Sequence, residues 1–275
     1  MMKIIKALLK ALLLVFIAGN LQAQINIGIT ASPNFRELGG IEINDGKTIR
    51  EGLIFRSGSF SNLSDLDAQK LKATGLNTII DFRSDFEIER EPDFIPESMS
   101  VNWIHAPIGS LDQSGMGKFM QVLTKEDFQQ EDVDQLMIEA NLGFVEYIQD
   151  FKPLFDLIQE EDAVVLFHCS AGKDRTGLAS ALFLHALGAD WDTIMEDFLR
   201  SNEAVEKTDL SKMAMYGIPE DRAKALMGVK AVYLESAWSA IEEKYGSADA
   251  LLAQEFGIGQ EEKEFLRSKY LEKRD

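Results

Sequence analysis

The sequence predicts an α/β domain with a central, mostly parallel sheet flanked by helices. Three observations carry this expectation. Short apolar segments, of which Ala163-Val164-Val165-Leu166-Phe167 is the most complete, read as buried strands. They alternate with longer stretches whose apolar residues recur at helical spacing. A chain of 275 residues with 45% hydrophobic composition can bury one sizeable core, with room for a small appendage.

Residues 1–23 stand apart from the fold. Lys3, Lys6 and Lys10 precede and surround an apolar run from Ala11 to Ala18, and Ala23 supplies a small residue at the cut. This order describes a secretory signal peptide, so the mature domain is expected over 24–275, exported to the periplasm or beyond. The run is too short to span a bilayer, which takes about 20 apolar residues, so no stable membrane insertion is expected once it is removed.

A hairpin follows the turn-rich segment Asn34 to Gly40. Ile41-Glu42-Ile43 and Thr48-Ile49-Arg50 flank Asn44-Asp45-Gly46, whose Asp-Gly pair is a turn signal. Leu53-Ile54-Phe55 is a short strand ending in Arg56-Ser57-Gly58. Ser64 caps a helix that runs to Thr74 and stops at Gly75. Thr78-Ile79-Ile80 and Val101 to Ile104 are further strands. The stretch from Gly109 to Asp134 is polar, Met-rich and poorly periodic, long for a loop and suited to a lid or flap. Leu136 to Gln159 reads as a helix broken near Pro153. The 163–167 strand and the helix Thr176 to Leu187 enclose a glycine-bearing turn, and from Asp190 onward the pattern is amphipathic helix. Ligands of parallel α/β sheets sit at the carboxyl ends of strands, which directs attention to the turns after Phe55, Ile80 and Phe167.

The formal charge is −18, and removing the three lysines of residues 1–23 makes it −21. Such a domain repels nucleic acid and anionic lipid, and no basic patch argues otherwise. There is one cysteine, so an internal disulfide is excluded and Cys169 is either a buried small hydrophobe or a reactive thiol.

Its neighbours favour the thiol. His168-Cys169-Ser170-Ala171-Gly172-Lys173-Asp174-Arg175-Thr176-Gly177 lies between a buried strand and a helix start, where backbone N–H groups lack partners. A tight loop there, with Gly172 allowing close folding, turns those groups and the helix dipole into a socket for a dianion. Arg175, six residues after the cysteine, can return across the loop and hold two oxygens with its planar fork. The same field favours the thiolate of Cys169, and Thr176 or Ser170 could hydrogen-bond the sulfur. Phosphate-binding positions are therefore Ser170, Ala171, Gly172, Lys173, Asp174, Arg175 and Thr176. His168 reads as a brace for the loop.

Cys-x5-Arg followed by Thr-Gly resembles the signature of cysteine-dependent phosphatases. The Ala-Gly-Lys-Asp-Arg-Thr-Gly form looks like the atypical bacterial tyrosine phosphatases, some of which act on phosphoinositides. Asn34 to Gly40, Phe55-Arg56-Ser57-Gly58, Asp81-Phe82-Arg83-Ser84 and the tail around Tyr245-Gly246-Ser247 share the resemblance, which covers the chain from about residue 30 onward. It implies the phosphatase fold, a helical lid, a phosphocysteine intermediate on Cys169 and catalysis without a metal or other cofactor. The implied substrate is a phosphorylated protein, foremost phosphotyrosine, with a phospholipid head group or dual specificity as alternative. A phosphate-binding module without turnover and a sulfur-transfer enzyme are the competing classes. Both fit less well, the first because nucleophile and arginine are present, the second because of the Lys-Asp-Arg-Thr-Gly continuation.

A phenol leaving group, with pKa about 10, calls for a general acid. Trp103-Ile104-His105-Ala106-Pro107 occupies a plausible place for an acid loop but holds no carboxylate. Asp174 inside the loop is the favoured catalytic acid, as the resemblance also implies, and Asp81 at a strand end is the alternative. Each has a plainer reading: Asp174 paired with Lys173 or an arginine, Asp81 anchoring Arg56 or Arg83. Lys173 either serves a multiply phosphorylated substrate or strengthens the socket. His105 and His185 have no metal-ligand spacing. Met116, Met120 and Met137 are either lid lining or ordinary core.

Overall fold

The computed structural model describes residues 29, 32–44, 46–61, 63–109, 113–211 and 217–273. The segment read as a signal peptide lies outside them. Strands β1 (Arg36–Glu37), β2 (Glu42–Ile43), β3 (Lys47–Ile49) and β4 (Ile54–Ser57) come first, then helix α1 (Asp65–Ala73), β5 (Thr78–Asp81), α2 (Asp85–Arg90) and β6 (Asn102–His105). Next are α3 (Gln113–Thr124), α4 (Gln130–Glu146), a 3-10 turn at Ile148–Phe151, α5 (Lys152–Leu157), β7 (Val165–His168) and α6 (Arg175–Leu187). The chain ends in α7 (Trp191–Leu199), α8 (Ser201–Lys207), α9 (Glu220–Met227), α10 (Ala231–Tyr245), α11 (Ala248–Phe256), α12 (Gln260–Tyr270) and β8 (Leu271–Lys273).

Five strands form the central sheet in the order β1-β4-β7-β5-β6, parallel except for β1. This is the α/β architecture expected, with helices on both faces. Alternation along the strands separates two layers. Ile54, Ile80, Val165 and Phe167 face the helical bulk of the chain, while Phe55, Ile79 and Leu166 face α1 through Ala68 and Leu71. Beneath the sheet lies α6, buried at every residue but His185. Because β7 is central and registers Ser57 and Asp81 against His168, the ends of β4, β5 and β7 converge on one loop.

Several boundaries depart from the sequence reading. The 109–134 stretch is not a loop: α3 and the start of α4 occupy it, with Met116, Phe119, Met120 and Leu123 on the i, i+3, i+4, i+7 spacing of one face. The helix expected from Leu136 begins at Gln130 and breaks at Tyr147 (φ −99°), while Pro153 sits harmlessly in the first turn of α5. The C-terminal region is not wholly helical, since β8 pairs antiparallel with β3, which also pairs with β2, in a small second sheet ordered β2-β3-β8. The hairpin expected from Asn44-Asp45-Gly46 forms with Glu42 opposite Thr48.

Candidate active site

β7 delivers His168, and Cys169 is the next residue, 3% exposed at the floor of a cavity of about 480 Å³. Ser170, Ala171, Lys173, Asp174 and Arg175 also line this cavity, whereas Gly172 and Thr176 are not on its wall. Gly172 turns outward with φ +67°, and a Cβ there would come within 2.4 Å of the Ser57 carbonyl group at the end of β4. Only glycine fits that approach. Its carbonyl accepts hydrogen bonds from Arg56 Nη2 (2.8 Å) and Asn34 Nδ2 (2.6 Å).

Those two donors explain the N-terminal motifs. Arg56 is fully buried and is paired through Nη1 with Asp197 (2.6 Å), which also receives Arg36 Nε at 2.9 Å. One buried carboxylate on α7 thus holds two arginines, one of which holds the loop. Burial pushes the Asp197 carboxyl up, but Arg36 and Arg56 outweigh it and bring it to about 2. Burial, with Arg36 beside it, lowers Arg56 to about 10 against the pull of Asp197. Gly177 lets α7 come this close, since a Cβ there would meet the Phe198 ring at 2.7 Å.

Arg175 has a partner that sequence reasoning missed. Glu87 on α2 accepts from Arg175 Nη1 (2.8 Å) and Nη2 (2.5 Å), and the Phe82 carbonyl accepts from Nη1 at 3.0 Å. Ser170 Oγ donates to Glu87 at 2.6 Å and the Ser84 N–H at 3.0 Å. These bonds use both Nη1 protons and one on Nη2. The Nε–H and the second Nη2 proton remain as a parallel pair on the other edge of the guanidinium, the geometry that grips two oxygens of one phosphate. Burial alone would raise Glu87, but the hydrogen bonds and charge of Arg175, with Ser170 and Ser84, hold its carboxyl at about 2. Burial pulls Arg175 down, but the Glu87 bond together with the charges of Cys169, Glu87 and Asp174 more than offsets it, so Arg175 is raised. The signal for Glu87 was present: Ser84-Asp85-Phe86-Glu87 is a capping box, formed here at the start of α2.

The two carboxylates proposed as acid are not brought together. Asp174 lines the cavity; its Oδ2 lies 2.8 Å from Lys173 Nζ, while its Oδ1 is buried with no hydrogen-bond partner. Lys173 is itself buried and reaches the Gly228 carbonyl at 3.3 Å. Asp81 lies off the cavity wall, fully buried, with its carboxylate on Arg83 Nε and Nη2 at 2.7–3.1 Å and on the Arg83 N–H at 2.9 Å. Its carboxylate is thus turned to Arg83 and away from the cavity.

Ser170 spends its hydroxyl on Glu87, and Thr176 Oγ1 is buried without a partner, so neither makes the sulfur bond expected of it. His168 braces the loop: Nδ1 is 3.3 Å from the Cys169 carbonyl, Nε2 is 3.3 Å from Asp93 Oδ2, and Phe60 packs edge-on at 5.4 Å. Asp81, Asp93 and His168 bring three ligand atoms within 4.8 Å of one another. Arg83 Nη2 sits 2.7 Å from both carboxylates, however, so a guanidinium already supplies the cation of that cluster. His105 Nε2 donates to the Arg83 carbonyl (2.8 Å), and His185 pairs with Asp249 (2.6 Å). Met116, Met120 and Met137 all line the cavity.

Known proteins resemble this chain over most of its length. Residues 27–272 match the sequence pattern described as the tyrosine phosphatase family. A Cupriavidus necator protein assigned to the tyrosine-protein phosphatases is 32% identical over 262 residues, 92% of this chain and 91% of that one. The triple specificity protein phosphatase PtpB of Mycobacterium tuberculosis is 28% identical over 82% of this chain and 92% of its own. A tyrosine-protein phosphatase of Nostoc commune is 25% identical over 77% and 72%.

Proposed function

Because the chain belongs to the tyrosine phosphatase family and is a protein-tyrosine phosphatase, we propose that it hydrolyses phosphotyrosine through a phosphocysteine on Cys169, with Arg175 as phosphate clamp and Asp174 as general acid. The observation that carries this reading is the side-on edge of Arg175, presented beside Cys169 by Glu87 and the Phe82 carbonyl.

In the first step the Cys169 thiolate attacks phosphorus and the bond to the phenolic oxygen breaks. The leaving oxygen takes the proton of Asp174, which lines the cavity beside Arg175. Loop N–H groups and Arg175 hold the three equatorial oxygens as charge spreads over them. In the second step water attacks the phosphocysteine, the P–S bond breaks, Asp174 takes a proton from the water, and inorganic phosphate leaves with the thiolate restored. Asp81, Glu87 and Asp197 act through other groups: they hold Arg83, Arg175 and, through Arg56, the loop respectively.

The breadth named for the mycobacterial relative supports a second reading, in which other phosphomonoesters are also hydrolysed. The basic and then apolar start of the chain supports export, with 24–275 as the mature enzyme; among the described residues no helix is long and apolar enough to cross a membrane. Phosphate release from a phosphotyrosyl peptide in EDTA tests the central reading. Wild type turns over and Cys169→Ser does not; equal rates for the two would defeat it.

A further inference from the structure

Asp174 occupies the N-cap position of α6, where an aspartate ordinarily accepts a backbone N–H of the first turn. Ser64, Ser84, Asp190 and Ser247 do so at the starts of α1, α2, α7 and α11. Asp174 makes no such bond. Its Oδ2 is held instead by Lys173 Nζ at 2.8 Å, which leaves Oδ1 without a protein partner among the described residues. Lys173 is fixed in turn. Its ammonium reaches the Gly228 carbonyl at 3.3 Å, at the end of α9 where the helix dipole is negative and favours a cation. The strap Gly228-Val229 is clamped by Asn202, whose Oδ1 accepts the Val229 N–H at 2.8 Å and whose Nδ2 donates to the Val229 carbonyl at 3.0 Å. The approach is close, since a Cβ on Gly228 would stand 3.2 Å from Asn202 Oδ1. Resting on the reading of Asp174 as general acid, we propose that Lys173 is a positioning residue, a strut from the Asn202-clamped end of α9 to that acid, and that it acts through Asp174 rather than on the phosphate.

Burial and charge both lead there. A lysine this deeply buried must be paired, and Asp174 and the Gly228 carbonyl take two of its three N–H bonds. Paired with a carboxylate, the ammonium adds little net charge to the phosphate socket. Without the strut, Asp174 would turn back to the start of α6 and accept the free N–H groups there, where the helix dipole favours its anion and its oxygens are spent. The strut also has an electrostatic effect, because an adjacent cation favours the carboxylate and so limits the acid at high pH. The groups facing Asp174 are Lys173 and Arg175 beside it in the chain, Arg175 carrying Glu87 of α2, the Cys169 thiol on the cavity floor, and Tyr233 of α10. Tyr233 gives its hydroxyl to Asp134 of α4 at 2.7 Å, and burial, that bond and the charges of Asp134 and Asp174 raise it. All of these persist when Lys173 is replaced, so a change in the pH profile reads the ammonium alone.

The test separates holding the acid from holding the phosphate. For wild type, Lys173→Met, Lys173→Arg, Asn202→Ala and Asp174→Asn, kcat and KM are measured across the pH–rate profile on phosphotyrosine and on an aryl phosphate with an acidic phenol. Inorganic phosphate serves as competitive inhibitor to report the socket. Lys173→Met should lose at least ~tenfold more kcat on phosphotyrosine than on the acidic phenol, part of the ~10²–10⁴-fold that a general acid contributes. Its inhibition by phosphate should change by a factor of a few at most. Its basic limb should move up by about 1 pH unit, because no adjacent cation favours the carboxylate. Asn202→Ala keeps the ammonium and should show a smaller selective loss without that shift, and Lys173→Arg should recover part of the loss. In an Asp174→Asn background Lys173→Met should add no further substrate dependence. Equal losses on both substrates with weakened phosphate inhibition would make Lys173 a phosphate contact and overturn the strut, as would an unaltered Lys173→Met or Asn202→Ala enzyme. If Lys173→Met does not fold, Asn202→Ala and Lys173→Arg decide by the same comparison. Should Asp174→Asn itself hurt both substrates alike, the acid lies elsewhere and the strut falls with that assignment, while Cys169-dependent turnover stands apart from both.

Discussion

Replacing Glu87 with glutamine tests the support of the catalytic arginine. The carboxyl, lowered from an ordinary 4.5 to about 2, is stabilised as the anion by about 3 kcal/mol at about 1.4 kcal/mol per tenfold. That agrees with the ~3–5 kcal/mol expected when one partner of a buried ion pair is removed. Glutamine keeps one acceptor oxygen and turns an amide N–H₂ toward the guanidinium, so the full loss is the upper bound. For a domain of this size ~3 kcal/mol corresponds to a fall in Tm of about 6–12 °C. Arg175 keeps the Phe82 carbonyl and a single side-chain oxygen in place of the bidentate carboxylate, and a shift of about 1 Å at such a group costs ~100-fold in rate. The sign of the pH dependence follows from a depressed carboxyl: its contribution is complete above about 4.5 and is lost as pH falls through about 2. Thermal melts and kcat/KM of Glu87→Gln are therefore read against wild type at pH 7, 5 and 3. The gap in Tm should hold from 7 to 5 and narrow at 3. Glu89→Gln, at an exposed position two residues along α2, should change neither quantity. A Glu87→Gln protein with kcat/KM within twofold of wild type and Tm within about 2 °C would refute the reasoning.

Three further outcomes follow from the same geometry. Asp174→Asn should lose ~10²–10⁴-fold on phosphotyrosine but much less on an aryl phosphate with an acidic phenol, while Asp81→Asn should depress both substrates alike; steady-state kinetics on the two substrates decide it. Asp197→Asn leaves Arg36 and Arg56 buried against each other without their shared anion, so its melt should fall at least as far as that of Glu87→Gln, and by ~3–5 kcal/mol in chemical denaturation. Brief peroxide treatment should abolish activity and added thiol restore it, because Cys169 has no second cysteine to trap its sulfenic acid as an internal disulfide; phosphate-release assays before and after thiol check this.

What was legible in the sequence was whatever is written at short range. The cysteine loop compresses nucleophile, turn glycine and clamp into a single strand-to-helix turn. The strands around it carry short apolar runs, Ile54-Phe55, Ile79-Ile80 and Val165-Leu166-Phe167, so the sheet and the loop's place in it could be read directly. The buttress was half legible: Asn34, Arg36 and Arg56 stand in recognisable motifs, but their common anion Asp197 is one acid among three on α7, and nothing local singles it out. Glu87 lies 88 residues from Arg175 on a six-residue helix too short to show a period, and its capping box announced the helix without announcing the partner. In α3 the apolar spacing was present, but Gly115 and Gly117 weaken the helical signal. β8 is a strand solely through its pairing with β3, a contact that three residues ending in Glu272 and Lys273 do not advertise.

The central claim is that Cys169 carries the phosphoryl group. Mixing the enzyme with excess phosphotyrosyl peptide, quenching in acid within milliseconds and mapping the protein by mass spectrometry tests it directly. The account predicts one added phosphoryl group on the peptide containing Cys169, formed and lost at rates that sustain steady-state turnover, and none in Cys169→Ser. Steady phosphate release with Cys169 unmodified throughout, or undiminished release by Cys169→Ser, would contradict it.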